Sequence, residues 1–386
     1  MPTETNLLTL GGMSFDGPDF PAKGEKELPS TVAETTARPE AHLDEWVAPD
    51  IADERGFLRA GKIFEWMDVV GVLAATRHAR HPVVTASVDG MQLREPIRVG
   101  ERVTMTAAVG HTSRASIGVS VSLTHGLPAA STPRRLLAGH MTFVALDESG
   151  KAMPVPQLQP ETPDEVARFR EGQLRREFRK KLLSGELPAL QSTPDGATPH
   201  MRALLVRELL KFFPRSFPFP FDRVDYAKPR RRHLSYVHKI EPIRSSKLNF
   251  HGTLYGGTLM RWIETSANLS ARAYLDGASV RFTGLHGLTF IRPVQPHVFV
   301  HIRSAVAQTS QDCLTVLVNV HAEDPLAGRQ HETLRAFLTY APIEGSETRV
   351  PPLECIGSEE TGLFEEVAHR LALQRSIDEP AEGAGT

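Results

Sequence analysis

The chain has 386 residues, 40% of them hydrophobic and 23% charged, enough for two or three globular units with sizeable cores. Its 44 Lys and Arg nearly balance 46 Asp and Glu, for a net charge of −2, so no global basicity points to a nucleic-acid partner. Two cysteines, Cys313 and Cys355, exclude a disulfide framework and a cysteine-rich metal site, and no apolar run approaches the ~20 residues that span a bilayer.

Residues 1 to about 40 are rich in Pro, Glu and Thr and read as disordered. Their start lacks the apolar core of a secretory signal and the Arg-rich stretch of a transit peptide, so a reducing, soluble compartment, most simply the cytoplasm, is expected. In a first unit over 41–160, Ile63, Trp66, Met67, Val70 and Ala74 recur at helical spacing and predict an amphipathic helix. The period then drops to two. Val103, Met105 and Ala107 mark one strand; Ile117, Val119, Val121 and Leu123 alternate with Gly118, Ser120 and Ser122 in another.

A connector over 161–232, belonging to neither unit, opens with a charged helix at 163–184 and continues with a second at 201–213, which Pro214, Pro218 and Pro220 end. The second unit, 233–345, repeats the first. Leu259, Trp262, Ile263, Ser266 and Ser270 form its helical stripe, Val298, Val300 and Ile302 one strand, and Leu314, Val316, Val318 and Val320 another, alternating with Thr315, Leu317 and Asn319. The tail, 346–386, holds a short helix in GLFEEVAHRLALQR. One helix followed by several antiparallel strands, twice over and with no βαβ alternation, is an α+β layer architecture.

The repeat is visible residue by residue. DERGFLRAGKIFEWMD at 53–68 matches NFHGTLYGGTLMRWIE at 249–264 with Gly56/Gly252, Leu58/Leu254, Gly61/Gly257 and Trp66/Trp262 identical, where chance supplies about one identity. One register shift later, Gly90/Gly287, Pro96/Pro293, Val103/Val300, Ser113/Ser310, Val119/Val316 and Thr142/Thr339 coincide. A duplicated domain leaves this pattern.

The run N-x-x-G-x-L-Y-G-G-x-L-M-x-W-I-E at 249–264, with the V-T-A-x-V-D and P-I-x-V-G elements of VVTASVDGMQLREPIRVGERV at 83–103, resembles the hotdog-fold acyl-CoA thioesterases. Two copies in one chain resemble the double-hotdog acyl-coenzyme A hydrolases. The resemblance implies a long helix wrapped by a curved antiparallel sheet in each copy, and pairing of the copies by a two-fold as an intrachain pseudo-dimer. It also implies an acyl-CoA substrate with no separate cofactor, CoA being part of the substrate, and a homotrimer of double-hotdog chains.

Thioester hydrolysis needs a base for water and hydrogen-bond donors for the carbonyl oxygen that turns negative. Asn249 precedes the second helix, and Asp68 lies about two turns into the first, off its apolar stripe. Within one copy, 53 and 68, or 249 and 264, are up to about 22 Å apart along a helical path, so acid and amide must meet across the copies. The resemblance implies the same. Asn249 with Asp68 makes a donor and a base. Asp53 with Glu264 makes two carboxylates and no donor, so this second site is doubtful, and similar tandem enzymes keep one working site.

Gly61, Gly256 and Gly257 at the helix starts suit backbone donors for the oxyanion, and these glycines together with Gly56 and Gly252 suit close approach of a ligand. Thr112, Ser113 and Arg114, and Thr309 with Ser310, occupy matching turns that the resemblance places near the CoA nucleotide; a plain turn reads as well. Plainer roles also exist for the acids and tryptophans. Asn249 suits a helix N-cap, Asp68 a solvated helix face, and Trp66 and Trp262 core packing. The basic run from Lys228 to His233 suits either CoA phosphates or a solvated surface.

Two other functions compete. A hotdog enoyl-CoA hydratase wants an Asp and a His on one loop, and Asp195 with His200 has such a spacing, though in the connector. A non-catalytic acyl-CoA sensor would explain the mismatched Asp53/Glu264 pair, but no recognition helix or basic surface accompanies it. No G-x-S-x-G elbow and no H-E-x-x-H motif occurs, and no metal ligands are read.

Overall fold

The computed structural model describes residues 40–125, 134–147, 150–184, 230–343, 348–355 and 357–378. The expected helix at 201–213, the Asp195/His200 pair and most of the N-terminal segment lie outside these residues.

Each copy runs strand, helix, four strands. The first holds β1 (Glu40–Trp46), α1 (Ala60–Ala79), β2 (Val83–Leu93), β3 (Arg102–Thr112), β4 (Ser116–His125) and β5 (Arg134–Ala145), and is followed by α2 (Pro163–Ser184). A short β6 (Arg230–Arg231) leads into β7 (Val237–Pro242), α3 (Gly256–Tyr274), β8 (Val280–Phe290), β9 (Phe299–Thr309), β10 (Leu314–Asp324) and β11 (Arg329–Pro342). β12 (Leu353–Glu354) and α4 (Gly357–Asp378) end the described chain.

Ten of the strands form one antiparallel sheet in the order β1-β3-β4-β5-β2-β8-β11-β10-β9-β7, and β6 and β12 form a separate parallel pair. The order reads the same from both ends once the copies are exchanged. β2 and β8 join at the centre, with Val88 opposite Leu288 and Met91 opposite Leu285, so the strand edge that each half would leave open is hydrogen-bonded to the other. A single apolar core runs through both copies.

The helical stripe read from the first copy is buried in full: Ile63, Trp66, Met67, Val70 and Ala74 all enter that core. In α3 the stripe ends on serines, and the structure shows how they are tolerated. Ser266 exchanges a 2.9 Å hydrogen bond with Ser304, and Ser270 donates to the carbonyl of Ser235, so neither buried hydroxyl goes unpaired. α1 and α3 run antiparallel and touch closely where they cross. A Cβ on Gly61 would lie 3.3 Å from the Arg261 Cα, and one on Gly257 3.2 Å from the Glu65 Cα. At these two glycines the backbone admitted this closely is that of the opposite helix.

α2, expected in a connector separate from both copies, lies across the outer face of the first sheet, with Phe169 against His111 at 4.9 Å between ring centres. α4 lies likewise on the second, where Leu363, Val367 and Leu371 meet Ala307, Leu317 and Phe337. None of the described helices is long and apolar enough to cross a membrane.

Candidate active site

Asn249 opens a tight loop. Its backbone N–H donates to the Thr253 carbonyl at 2.7 Å, and the Gly252 N–H returns to its own carbonyl at 2.9 Å. Gly252 has φ +70, a left-handed conformation that glycine adopts without strain. The side-chain Oδ1 accepts three hydrogen bonds, from the His251 N–H (3.0 Å), the Thr253 N–H (3.1 Å) and the Thr253 hydroxyl (3.1 Å). Three donors on one oxygen fix the amide orientation, because a flipped amide would set its NH2 against them. The Asn249 Nδ2 has no partner among the described residues and remains available as a donor.

The first copy builds the same loop with a carboxylate. Asp53 Oδ1 accepts from the N–H groups of Arg55 (3.0 Å) and Phe57 (2.9 Å), and Gly56 has φ +79. Where Asn249 offers an NH2, Asp53 has a second oxygen, held at 3.0 Å by the Arg55 guanidinium. Arg55 thus neutralises the charge, and the loop presents no amide donor.

The two acids sit at the crossing of the helices. Asp68, on α1, accepts from the Gly257 N–H at the start of α3 (2.7 Å) and from the Thr85 hydroxyl (2.6 Å). Glu264, on α3, is bonded by the Gly61 amide at the start of α1 and by the Tyr340 hydroxyl at 3.3 Å. Neither helix has a side-chain cap of its own: the capping positions are Arg59 and Tyr255. Each carboxyl therefore caps the opposite helix, where the dipole favours negative charge.

Both acids are buried, Asp68 at 1% exposure and Glu264 at 7%. Burial pushes Asp68 up to about 6, against the lowering effect of its Thr85 and Gly257 hydrogen bonds. Burial likewise pushes Glu264 up to about 7, opposed by Tyr340, Gly61 and the charge of Arg59. Neither plainer role fits: Asp68 is not solvated, and the residue at the α3 N-cap is Tyr255 rather than Asn249.

The structure brings Asp68 to the start of α3, whose entry loop carries Asn249. Burial first, and then the nearby charge of Asp68, raise the phenol of Tyr255 to about 12. No hydrogen bond joins Asn249 to Asp68. The Gly257 and Gly61 N–H groups are occupied by the acids, whereas the Gly256 N–H has no acceptor among the described residues.

Thr85 was not singled out from the sequence, although it is the threonine of the V-T-A-x-V-D element at 84–89. What marks it is its counterpart. At the equivalent place in the second copy stands Phe282, which packs edge-on against Phe64 (5.4 Å) and Tyr340 (5.8 Å). Near Glu264 the aromatic rings of Phe282, Phe64 and Tyr340 pack together, whereas beside Asp68 the equivalent position is the small, hydroxyl-bearing Thr85.

The turn residues expected near a nucleotide are engaged by the chain itself. Thr112 accepts from the Leu158 N–H at 2.8 Å, the Ser113 carbonyl from Gln157 at 3.1 Å, and the Arg114 carbonyl from the Val155 N–H at 3.0 Å. Thr309 accepts from the Leu353 N–H at 2.9 Å, and Ser310 pairs with Cys313 across its own turn. None of these bonds involves Asn249, Asp68 or Glu264. Of the basic run, Arg230 and Arg231 form β6, paired with β12. Among the described residues no group of three His, Cys, Asp or Glu side chains is gathered as a metal site.

Known proteins match the same two stretches. A family model described as the thioesterase superfamily matches residues 56–126 and 251–328. Cytosolic acyl coenzyme A thioester hydrolase of Mus musculus is 35% identical over 140 residues, 36% of this chain and 37% of that one. Acetyl-coenzyme A thioesterase of Rattus norvegicus is 25% identical over 325 residues, 81% of this chain and 53% of that one. A Bacillus subtilis protein named an uncharacterized acyl-CoA thioester hydrolase is 31% identical over 120 residues, 31% of this chain and 70% of that one. The chain spans little more than a third of the length of the mammalian cytosolic relatives it matches. Two family matches, each over a helix laid on its half of one antiparallel sheet, and a bacterial relative matched over most of its length lead to one statement: the chain belongs to the thioesterase superfamily and carries its hotdog domain twice.

Proposed function

We propose that the chain is an acyl-CoA thioesterase, converting acyl-CoA and water to a fatty acid and free CoA at a site composed of Asn249, Asp68 and Thr85. One observation carries the reading: a buried carboxyl, with a raised pKa and one oxygen held by Thr85, stands at the start of the helix that follows Asn249, whose NH2 has no partner among the described residues. Asp68, ionised above about pH 6, takes a proton from water as its oxygen attacks the thioester carbon. Asn249 Nδ2 and the Gly256 N–H donate to the carbonyl oxygen as it becomes negative, helped by the positive end of α3. The C–S bond then breaks, and the proton held by Asp68 passes to the departing CoA thiolate.

In this reading the copies act as an intrachain pseudo-dimer, each catalytic group coming from a different copy, and the Asp53/Glu264 pair is silent. The Arg55 clamp on Asp53 and the Phe282–Tyr340 cluster support that silence. Exposed Val69, Leu73 and Leu269 on α1 and α3 suit burial against further copies, in keeping with a homotrimer. A cytoplasmic setting accords with the mouse relative being named cytosolic.

Release of free thiol from acyl-CoAs between acetyl and palmitoyl tests the proposal. Turnover is expected in the native chain, a loss of about a hundredfold or more in Asp68→Asn, and most activity in Glu264→Gln. Acyl-CoA binding by the native chain without thiol release would overturn the reading in favour of a sensor, and equal losses in both variants would overturn its one-site form.

A further inference from the structure

The crossing of α1 and α3 is symmetric, and one position of the repeat sits at its centre. Gly61, Glu65 and Asp68 of α1 are the aligned counterparts of Gly257, Arg261 and Glu264 of α3. The contacts follow the same exchange: Gly61 abuts the Arg261 backbone as Gly257 abuts that of Glu65, and each acid bonds the glycine amide of the other helix. Between these contacts Glu65 meets Arg261, its own counterpart, at 2.6 Å. On the axis of a true two-fold dimer a residue meets a copy of itself. Here an acid meets a base.

A second ion pair between the copies has the same polarity. Glu54, in the entry loop of α1, pairs at 2.9 Å with Arg272 near the end of α3. Their counterparts, Phe250 and Thr76, carry no charge. At both places the first copy supplies the acid and the second the arginine. Pairing of like copies would undo this: two first copies would set Glu65 against Glu65, and two second copies Arg261 against Arg261. Lys62, 3.2 Å from Glu65 on its own helix, would soften the first clash, but its counterpart on the helix of Arg261 is the uncharged Thr258. The residues paired across the β2–β8 seam are uncharged in both copies and make no such distinction.

We infer that Glu65 and Arg261 select the partner of each half, so that a first copy pairs with a second copy and is repelled by another first copy. The pair is partly exposed, so its attraction alone adds little to stability. Selection is a difference between partners, and repulsion within like pairs supplies the larger share of it. The consequence reaches the site on which the proposed function rests. Like pairing would combine Asp53 with Asp68 and Asn249 with Glu264, and the Asn249/Asp68 combination would be lost.

Charge reversal in the full chain tests this. Glu65→Arg and Arg261→Glu each leave like charges at the crossing, and each is expected to lower the midpoint of thermal unfolding by a few degrees, less so in about 1 M sodium chloride, which screens exposed charges. The double variant restores opposite charges and is expected to recover most of both losses. Produced together in one cell, the two single variants can regain acid against base only by exchanging halves between chains. A tagged Arg261→Glu chain is therefore expected to retain untagged Glu65→Arg chains severalfold more than untagged chains of its own kind, and the mixture to unfold at a higher midpoint than either variant alone. Midpoint and retention need no turnover, so they judge this inference apart from the thioesterase reading. Native midpoints in both single variants, additive losses in the double variant, or equal retention of the two kinds of chain would each overturn it. Should the single variants fail to fold, a folded double variant supports the inference and an unfolded one overturns it.

Discussion

Asp68 and Thr85 illustrate how one hydrogen bond bears on the titration of a buried carboxyl. A carboxyl as buried as Asp68 would rise well above its present value of about 6 without the donors that favour its ionised form. Thr85→Val keeps the shape and removes one donor. Hydrogen bonds to charged groups are worth about 1.5–3 kcal/mol, so the carboxyl should rise by about one unit or more. On the proposed mechanism the ionised form is the base, so kcat/KM is expected to fall as pH drops through this pKa. The acid limb of the variant's pH–rate profile is therefore expected to move up by about one pH unit, with a greater loss at pH 6 than at pH 9. An unmoved acid limb would separate Thr85 from the titration of Asp68. Asn249, Asp68 and their unequal counterparts Asp53 and Glu264 were legible from a 16-residue repeat, because each side chain lies inside an aligned motif. Thr85 lies within a quoted motif too, but its role depends on a contact between strand and helix that no spacing encodes.

The elements follow from local rules more fully than their placement does. The stripe of α1 and the alternation of β4 needed nothing beyond periodicity, and α2 begins and ends where its charged run does. Leu317 was a signal that could have been read further: an apolar residue on the outward side of β10 implies that something covers it, and α4 does. The crossing of α1 and α3 sets a stricter condition. Gly257→Ala would put a Cβ 3.1 Å from the Asp68 Cβ and 3.2 Å from the Glu65 Cα, tighter than ordinary van der Waals contact, so that a helix backbone, which no rotamer change moves, must give by a few tenths of an ångström. The helices must part, at a cost of about 1–3 kcal/mol, which should lower the unfolding midpoint and stretch the bond that holds Asp68. Thermal unfolding and turnover of the variant are expected to fall together; an unchanged midpoint would mean that the two helices separate freely.

At the scale of the molecule, duplication has let the two sites diverge. Glu264 still caps α1, but an acid raised from 4.5 to about 7 is still largely neutral between about pH 6 and pH 7, where Asp68 is already largely ionised. A raised folded-state pKa favours the protonated form, so its contribution to stability is complete below pH 4.5, is lost as pH rises towards 7 and stays lost above. Glu264→Gln keeps a neutral side chain at every pH. Relative to the native chain it is expected to gain stability between pH 5 and pH 8, by at most on the order of 3 kcal/mol, measured from urea midpoints. A pH-independent difference would show that Glu264 does not titrate in this window.

The amino-acid sequence alone determined that the chain is a tandem of helix-plus-sheet units, which residues stand at equivalent places, and that the two site positions within one copy are too far apart to share a bond. These follow from periodicity and covalent spacing, which are properties of the chain itself. Only the tertiary structure decided that the acids cap one another's helices, that Thr85 and Phe282 make the sites unequal, and that α2 and α4 lie on the outer faces of the two halves. Burial and long-range hydrogen bonding set these outcomes, and both exist only once β2 has met β8.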